Sequence, residues 1–176
     1  MEKYFEGIDL KTFWDEDDES PKKLTDKMVE KAEKKLGYKL PKSFIELLKS
    51  RNGGYPLNTC FPTSEKTSWA DDHIAIETIY GIGIEGGVDD EYGSAYLIEE
   101  WGYPSIGIVI CDCPSGGHDI VMLDYSDCGI EGEPKVVHID TETENDEPKI
   151  TVLAQDFETF IRGLKPETEF EDAEEE

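Results

Sequence analysis

Positive charge is scarce in this chain: 17 lysines and arginines stand against 42 acids, a formal net charge of −25. So acidic a balance argues against direct nucleic-acid binding, where a basic stripe would be expected. Long apolar runs are also missing. No stretch approaches the roughly 18 residues of a membrane span, and the opening MEKYFEGIDL lacks the apolar core of a secretory leader. Without a leader, Cys60, Cys111, Cys113 and Cys128 read as reduced thiols of a cytoplasmic protein. Catalytic signatures are absent too. There is no Gly-x-Ser-x-Gly elbow, and no lysine follows the glycines of Ile82–Tyr92 to make a phosphate loop.

What remains is strongly acidic and adequately apolar. Apolar residues make up 37 % and aromatics 10 %, enough for one packed core in 176 residues. Twelve acids sit in two runs, five at Asp15–Glu19 and seven between Pro166 and Glu176. Setting them aside leaves 30 acids against 17 bases, so the body itself is acidic. An acidic face raises the association rate with a basic protein, whereas blocks of like charge at chain ends are commonly disordered. The expected organisation is an acidic, loosely docked arm (1–20), a single domain (21–165) and an acidic disordered tail (166–176).

Periodicity supplies the elements. Phe5, Ile8, Leu10, Phe13 and Trp14 are spaced for a short helix in the arm. Met28, Val29, Ala32 and Leu36 recur at helical offsets, with Thr25 as N-cap and Gly37 as the left-handed stop. Pro41 opens a second helix, about 42–51, buried through Phe44, Ile45, Leu47 and Leu48 and ended by Asn52-Gly53-Gly54. Strands are expected at 74–84, 94–99 (strand or short helix), 106–113, 118–125 and 135–139. A last helix follows at about 156–164, anchored by Phe157, Phe160, Ile161 and Leu164. The run IGIVICDCPSGGHDIVMLDY, Ile106 to Tyr125, is apolar on both strand faces, which places this hairpin at the centre of a sheet. Helices segregated from hairpin-joined strands mean an α+β fold: one curved, mostly antiparallel sheet carrying helices on one side.

Each candidate for chemistry has a plain alternative. Cys111, Cys113, His118 and Cys128 offer zinc ligands, but the spacing matches no Cys-x₂-Cys knuckle, and buried cysteines act as small hydrophobes. Cys111 and Cys113, two apart on a strand, are expected on one face with Val109. Ser115, His118 and Asp119 share a turn whose proline and glycines suffice to explain it, and a triad needs a separately oriented base and an oxyanion hole. Asp89, Asp90 and Glu91 lack the alternate spacing of a calcium loop, so a solvated surface loop is the expectation. Trp14, Trp69 and Trp101, each near acids, fit either anchors for a basic partner or half-buried plugs, with the plug favoured for Trp101.

The chain resembles the SUKH superfamily of Smi/Knr-type cell-wall assembly regulators and bacterial toxin-immunity proteins. The residues that carry the resemblance are Ala32-Glu33, Leu36-Gly37-Tyr38-Lys39-Leu40-Pro41, Phe44, Asn52-Gly53-Gly54 and Ile106-Gly107-Ile108. They continue with Gly116-Gly117-His118-Asp119, Leu123-Asp124-Tyr125, Pro134-Lys135-Val136-Val137 and Phe157-x-x-Phe160-Ile161, spanning about Leu24 to Leu164. The resemblance implies a curved sheet with peripheral helices, no enzymatic activity and no cofactor. It also implies a protein partner: a toxin domain, often a nuclease, for the immunity members, or cell-wall signalling for the regulators. The expected function is stoichiometric occlusion of a basic toxin domain, with a regulatory scaffold as the alternative. The expected partner-binding residues are Trp69, Asp71, Asp72, Glu85, Asp89, Asp90 and Glu91.

Overall fold

The computed structural model describes residues 4–15, 21–143 and 147–171. Most of the Asp15–Glu19 acid run and the end of the tail, 172–176, lie outside the described residues. Residues 4–15 hold a single helical turn, α1 (Leu10–Phe13), in place of the longer expected helix. Phe5 and Trp14 are buried, and the Trp14 indole N–H donates to Ser50 Oγ at 3.2 Å.

The first long helix, α2 (Asp26–Leu36), has the expected ends. Thr25 Oγ1 accepts the Met28 N–H, Asp26 and Lys34–Lys35 complement the helix dipole, and Gly37 turns left-handed at φ 81°. In α3 (Lys42–Ser50), Pro41 occupies the N-cap itself, and Phe44, Leu47 and Leu48 are buried. Near the other end of the chain α5 (Phe157–Gly163) is capped by Asp156, whose carboxylate accepts the Thr159 N–H at 2.8 Å. Phe157 meets Phe44 edge to face at 5.1 Å, which locks α5 against α3. Beyond it Thr168–Glu171 forms a last turn, α6, whose Phe170 ring stacks on His73 at 4.1 Å.

The sheet has two parts. Four antiparallel strands run in the order β3 (Gly107–Asp112), β4 (Asp119–Asp124), β5 (Lys135–Asp140) and β6 (Lys149–Ala154). A smaller antiparallel pair joins β1 (Cys60–Pro62) to β2 (His73–Ala75). The fold is therefore α+β and antiparallel, with the β3–β4 hairpin buried as its two-faced apolarity requires. One face packs on α2, α3 and α5 through Ile108, Val121, Leu123 and Val136. The other holds Val109, Ile120, Met122, Val137 and Ile139 under Tyr103 and α4 (Ser94–Trp101).

Helices thus cover both faces of the sheet, not one, and the ambiguous 94–99 segment is the helix that makes the difference. A bulge between Val109 and Cys111 also overturns one expectation. The extra residue breaks the two-residue alternation, so Cys111 faces the α3 side while Val109 faces α4.

The two edges of the large sheet differ. Beside β3, the segment 77–80 supplies backbone bonds, including Tyr80 N–H to Ile110 O at 2.8 Å and Glu77 N–H to Asp112 O at 2.9 Å. The outer edge of β6 has no backbone partner among the described residues, and Ile150 and Val152 are 44 % and 47 % exposed. Among the described residues, no helix is long and apolar enough to cross a membrane.

Candidate functional site

The turn between β3 and β4 contains the only Cys–Asp–His gathering among the described residues, and it is not the set expected from sequence. Cys113, Asp119 and His138 place one ligand-type atom each within 4.8 Å of one another, all buried. The register produces this: β4 and β5 pair Val121 with His138 and Asp119 with Asp140, so Asp119 and His138 share the α3-side face. His138 Nε2 lies 2.7 Å from one Asp119 oxygen, Ser115 Oγ donates to the other, and the Cys113 thiol donates to the same carboxylate. Burial alone would raise the Asp119 pKa, but the bonds from His138 and Ser115 outweigh it and hold it below the ordinary value. The Cys113 thiol is pushed well up by burial and by the adjacent Asp119.

These contacts make Asp119 a hub with three donors. The carboxylate stands between hydroxyl and imidazole, so His138 has no path to the Ser115 proton, and the arrangement is not a nucleophile–base pair. Ligands of a tetrahedral zinc stand roughly 3.3 Å apart when each is about 2 Å from the ion. The 2.7 Å Nε2–Oδ2 contact is hydrogen-bond spacing instead. Of the expected ligands and triad members, Cys113, Ser115 and Asp119 are in this hub, and the others lie elsewhere. His118 is exposed and faces Glu142 at 3.2 Å, while Cys128 lies in the following turn against Tyr125 O and Gly129 O.

The seven residues expected to bind a partner fall in two loops lining different cavities. Trp69, 42 % exposed, borders a cavity with Cys60, His73 and Phe170. Beside it Asp71 faces Lys66 at 3.7 Å, and Asp72 faces His73 at 2.8 Å. Glu85, Asp89, Asp90 and Glu91 belong to the loop before α4. Asp89 accepts the Gly83 N–H at 2.8 Å and Asp90 the Gly86 N–H at 3.0 Å, so these two acids close the loop on itself. Asn52 anchors the start of that loop. Its amide oxygen accepts the Ile82 N–H, and its amide nitrogen donates to Ile82 O, both at 2.8 Å.

A third place escaped the sequence reading. Glu77, Tyr80, Leu97, Trp101, Tyr103 and Asp112 line a cavity of about 430 Å³ beside α4. Trp101 is half exposed, and its ring lies on Gly117, where an added Cβ would come within 2.4 Å. Tyr103 donates its hydroxyl to Gly117 O at 2.5 Å, and burial first, then Asp119, pushes its pKa up to about 12. Burial, with Glu77 adding like charge, also holds the Asp112 carboxyl above its usual value. Trp101 is thus both a plug on the turn and a wall of the cavity. Glu77 and Asp112 gave no signal in sequence, since single acids at strand ends look like ordinary solvated positions.

Charge is unevenly divided along the chain. Residues 22–51, which contain α2 and α3, carry ten of the 17 bases and four acids. Residues 67–134 contain fifteen acids and no lysine or arginine. That second stretch supplies the acidic loop, α4 and the 430 Å³ cavity.

A family model described as SUKH_6, SMI1-KNR4 cell-wall, matches residues 26–161. No curated protein and no solved structure matches the chain.

Proposed function

This chain belongs to the SUKH group of the SMI1-KNR4 cell-wall family, a family of immunity proteins and cell-wall regulators, and on that premise we propose that it is a non-catalytic protein-binding domain, an immunity protein that neutralises a basic toxin domain of nuclease type. Inhibition is by occlusion: the acidic face covers the positive surface that nucleic acid would otherwise occupy. The observation that carries this reading is the base-free stretch 67–134 with its fifteen acids. Lys66 and Lys135 reach in from outside the stretch to Asp71, Asp124 and Asp127, but the acids outnumber them, and such an excess attracts an oppositely charged protein over distances of about 10 Å at 0.1 M salt. Trp69 and Glu85, both accessible, with Asp71, Asp72, Asp89, Asp90 and Glu91, are the proposed contacts, the aromatic as anchor and the acids as steering charge.

The test begins with capture of the cognate protein from the native cell and sequencing of the neighbouring reading frame for a basic C-terminal domain. Association measured by stopped flow is then expected to slow by roughly tenfold or more between about 0.02 and 0.5 M salt. A salt-independent rate would falsify the reading. The competing scaffold reading, with the acidic ends as interaction elements, needs a gentler change than deleting residues 1–20, because Phe5 and Trp14 are part of the core. The gentler change neutralises Glu16, Asp17, Asp18 and Glu19 to amides and removes 172–176, with a thermal melt to establish that the variant is folded. Binding that survives supports occlusion by the folded face; binding that disappears supports the scaffold.

A further inference from the structure

The cavity beside α4 has three aromatic walls and two carboxylates, and no lysine or arginine lines it among the described residues. All its lining residues lie within the stretch that lacks lysine and arginine. Neither Glu77 nor Asp112 forms an ion pair among the described residues. Thr78 fixes Asp112 by donating its backbone N–H at 2.8 Å. Trp101 and Tyr103 are both seated on Gly117, so the wall is formed before anything enters. A volume of about 430 Å³ falls in the range of pockets that hold a small ligand or one long side chain.

Two like charges in an aromatic, partly desolvated cavity repel each other unless a cation enters. A hard metal ion would complete its oxygen shell with water and make no use of the aromatic and apolar walls. A guanidinium meets every feature: it stacks on tryptophan and tyrosine faces, its fork donates to carboxylates, and its methylene stem lies along apolar walls such as Leu97 and Ile120. We propose that this cavity is a recognition subsite for one arginine side chain of the basic partner, with Glu77 and Asp112 as acceptors and Tyr80 and Trp101 as the stacking surface. The assignment rests on the reading of the protein as a binder of a basic protein, and it locates a contact that reading left unplaced. The subsite is separate from the Trp69 cavity and adjoins the Glu85 groove, which shares Tyr80.

The experiment is a ¹H–¹⁵N NMR titration of the full chain with Nα-acetylarginine amide, with the neutral citrulline counterpart as control. Saturable shifts are expected at the Trp101 indole N–H and at the amides of 77–80 and 112–117, with none from citrulline. Asp112→Asn, which keeps an acceptor for Thr78, and Glu77→Gln are each expected to weaken the arginine probe roughly three- to tenfold. Thermal melts establish that both variants remain folded. Unsaturating shifts spread over the acidic surface, or variants that titrate like the parent, overturn the subsite. In that case a salt-steep rate to the captured partner would leave the occlusion reading standing. If the probe binds here but Asp112→Asn leaves affinity for the captured partner unchanged, the assignment of the partner's side chain to this cavity fails on its own.

Discussion

Replacing Asn52 with alanine removes the clamp between the end of α3 and the acidic loop. Asn52 is 2 % exposed, and its amide makes three bonds: to Lys22 O at 3.1 Å, to Ile82 O at 2.8 Å, and from the Ile82 N–H at 2.8 Å. Two carbonyls facing one nitrogen and one N–H facing the oxygen leave a single amide orientation that works. Ile82 is fully buried, so alanine leaves both its backbone groups without a partner. Each such group costs roughly 1–3 kcal/mol, giving about 2–6 kcal/mol in all. For a domain of this size that corresponds to a melting temperature lower by about 5–20 °C. Thermal unfolding followed by circular dichroism reads the loss, and hydrogen exchange is expected to accelerate at Gly83–Glu91 in particular. Asn52→Asp sharpens the test: the acceptor survives, but a carboxylate then faces two carbonyls, so this variant should be the less stable at neutral pH and recover as it protonates. A loss under about 1 kcal/mol for Asn52→Ala, with unchanged exchange in the loop, would refute the argument that side-chain bonds hold the loop in place.

Three further outcomes follow from the hairpin and its surroundings. Gly117→Ala places a Cβ 2.4 Å from the Trp101 ring at a φ of 102°; because the indole is half exposed it can swing out, so we expect a cost of about 1–2 kcal/mol and a red shift of tryptophan emission. The two carboxylates of the hairpin titrate with opposite sign. Asp119, held low, contributes stability that is present above its unfolded pKa and lost as pH falls through its folded one. Asp112, held high, contributes in its protonated form, and that contribution is lost as pH rises through its folded pKa. Melts should therefore show Asp112→Asn stabilised near neutral pH with the gain fading in acid, and Asp119→Asn destabilised near neutral pH with the loss shrinking in acid. Native-state thiol titration should label Cys128 alone, since Cys60, Cys111 and Cys113 are at most 4 % exposed. Rapid labelling of a second thiol would contradict the packing of β3.

The helices were legible because their signals are local. Thr25 and Gly37 bracket α2 by side-chain and backbone chemistry that needs no distant partner. The β3–β4 hairpin was legible for a different reason: strands apolar on both faces have to be covered twice. That second cover, α4, could not be told from a strand, because eight residues with Tyr96, Leu97 and Ile98 suit either period. The expected strand 74–84 is divided: His73–Ala75 pairs with β1, Glu77 and Tyr80 bond to β3, and the chain then turns under Asn52, a contact 30 residues away in sequence. The strand β6 alternates in the opposite sense to the usual one, with Thr151 buried and Ile150 and Val152 exposed at an edge, so its burial does not follow from its pattern. The Asp119 hub and the α4 cavity depend on strand register and on a bulge. Neither leaves a mark in residue spacing, so the acidic character of the site was readable while its geometry was not.

The side of β6 that has no backbone partner among the described residues is a place where a neighbouring copy could extend the sheet, and Ile150 and Val152 would reward that docking. Excess anionic charge acts here as a brake on self-assembly: with a formal −25 on every copy, two molecules repel before their strands meet. The surplus thus opposes edge-to-edge contact between free copies, and protonation of the carboxylates in acid weakens that opposition.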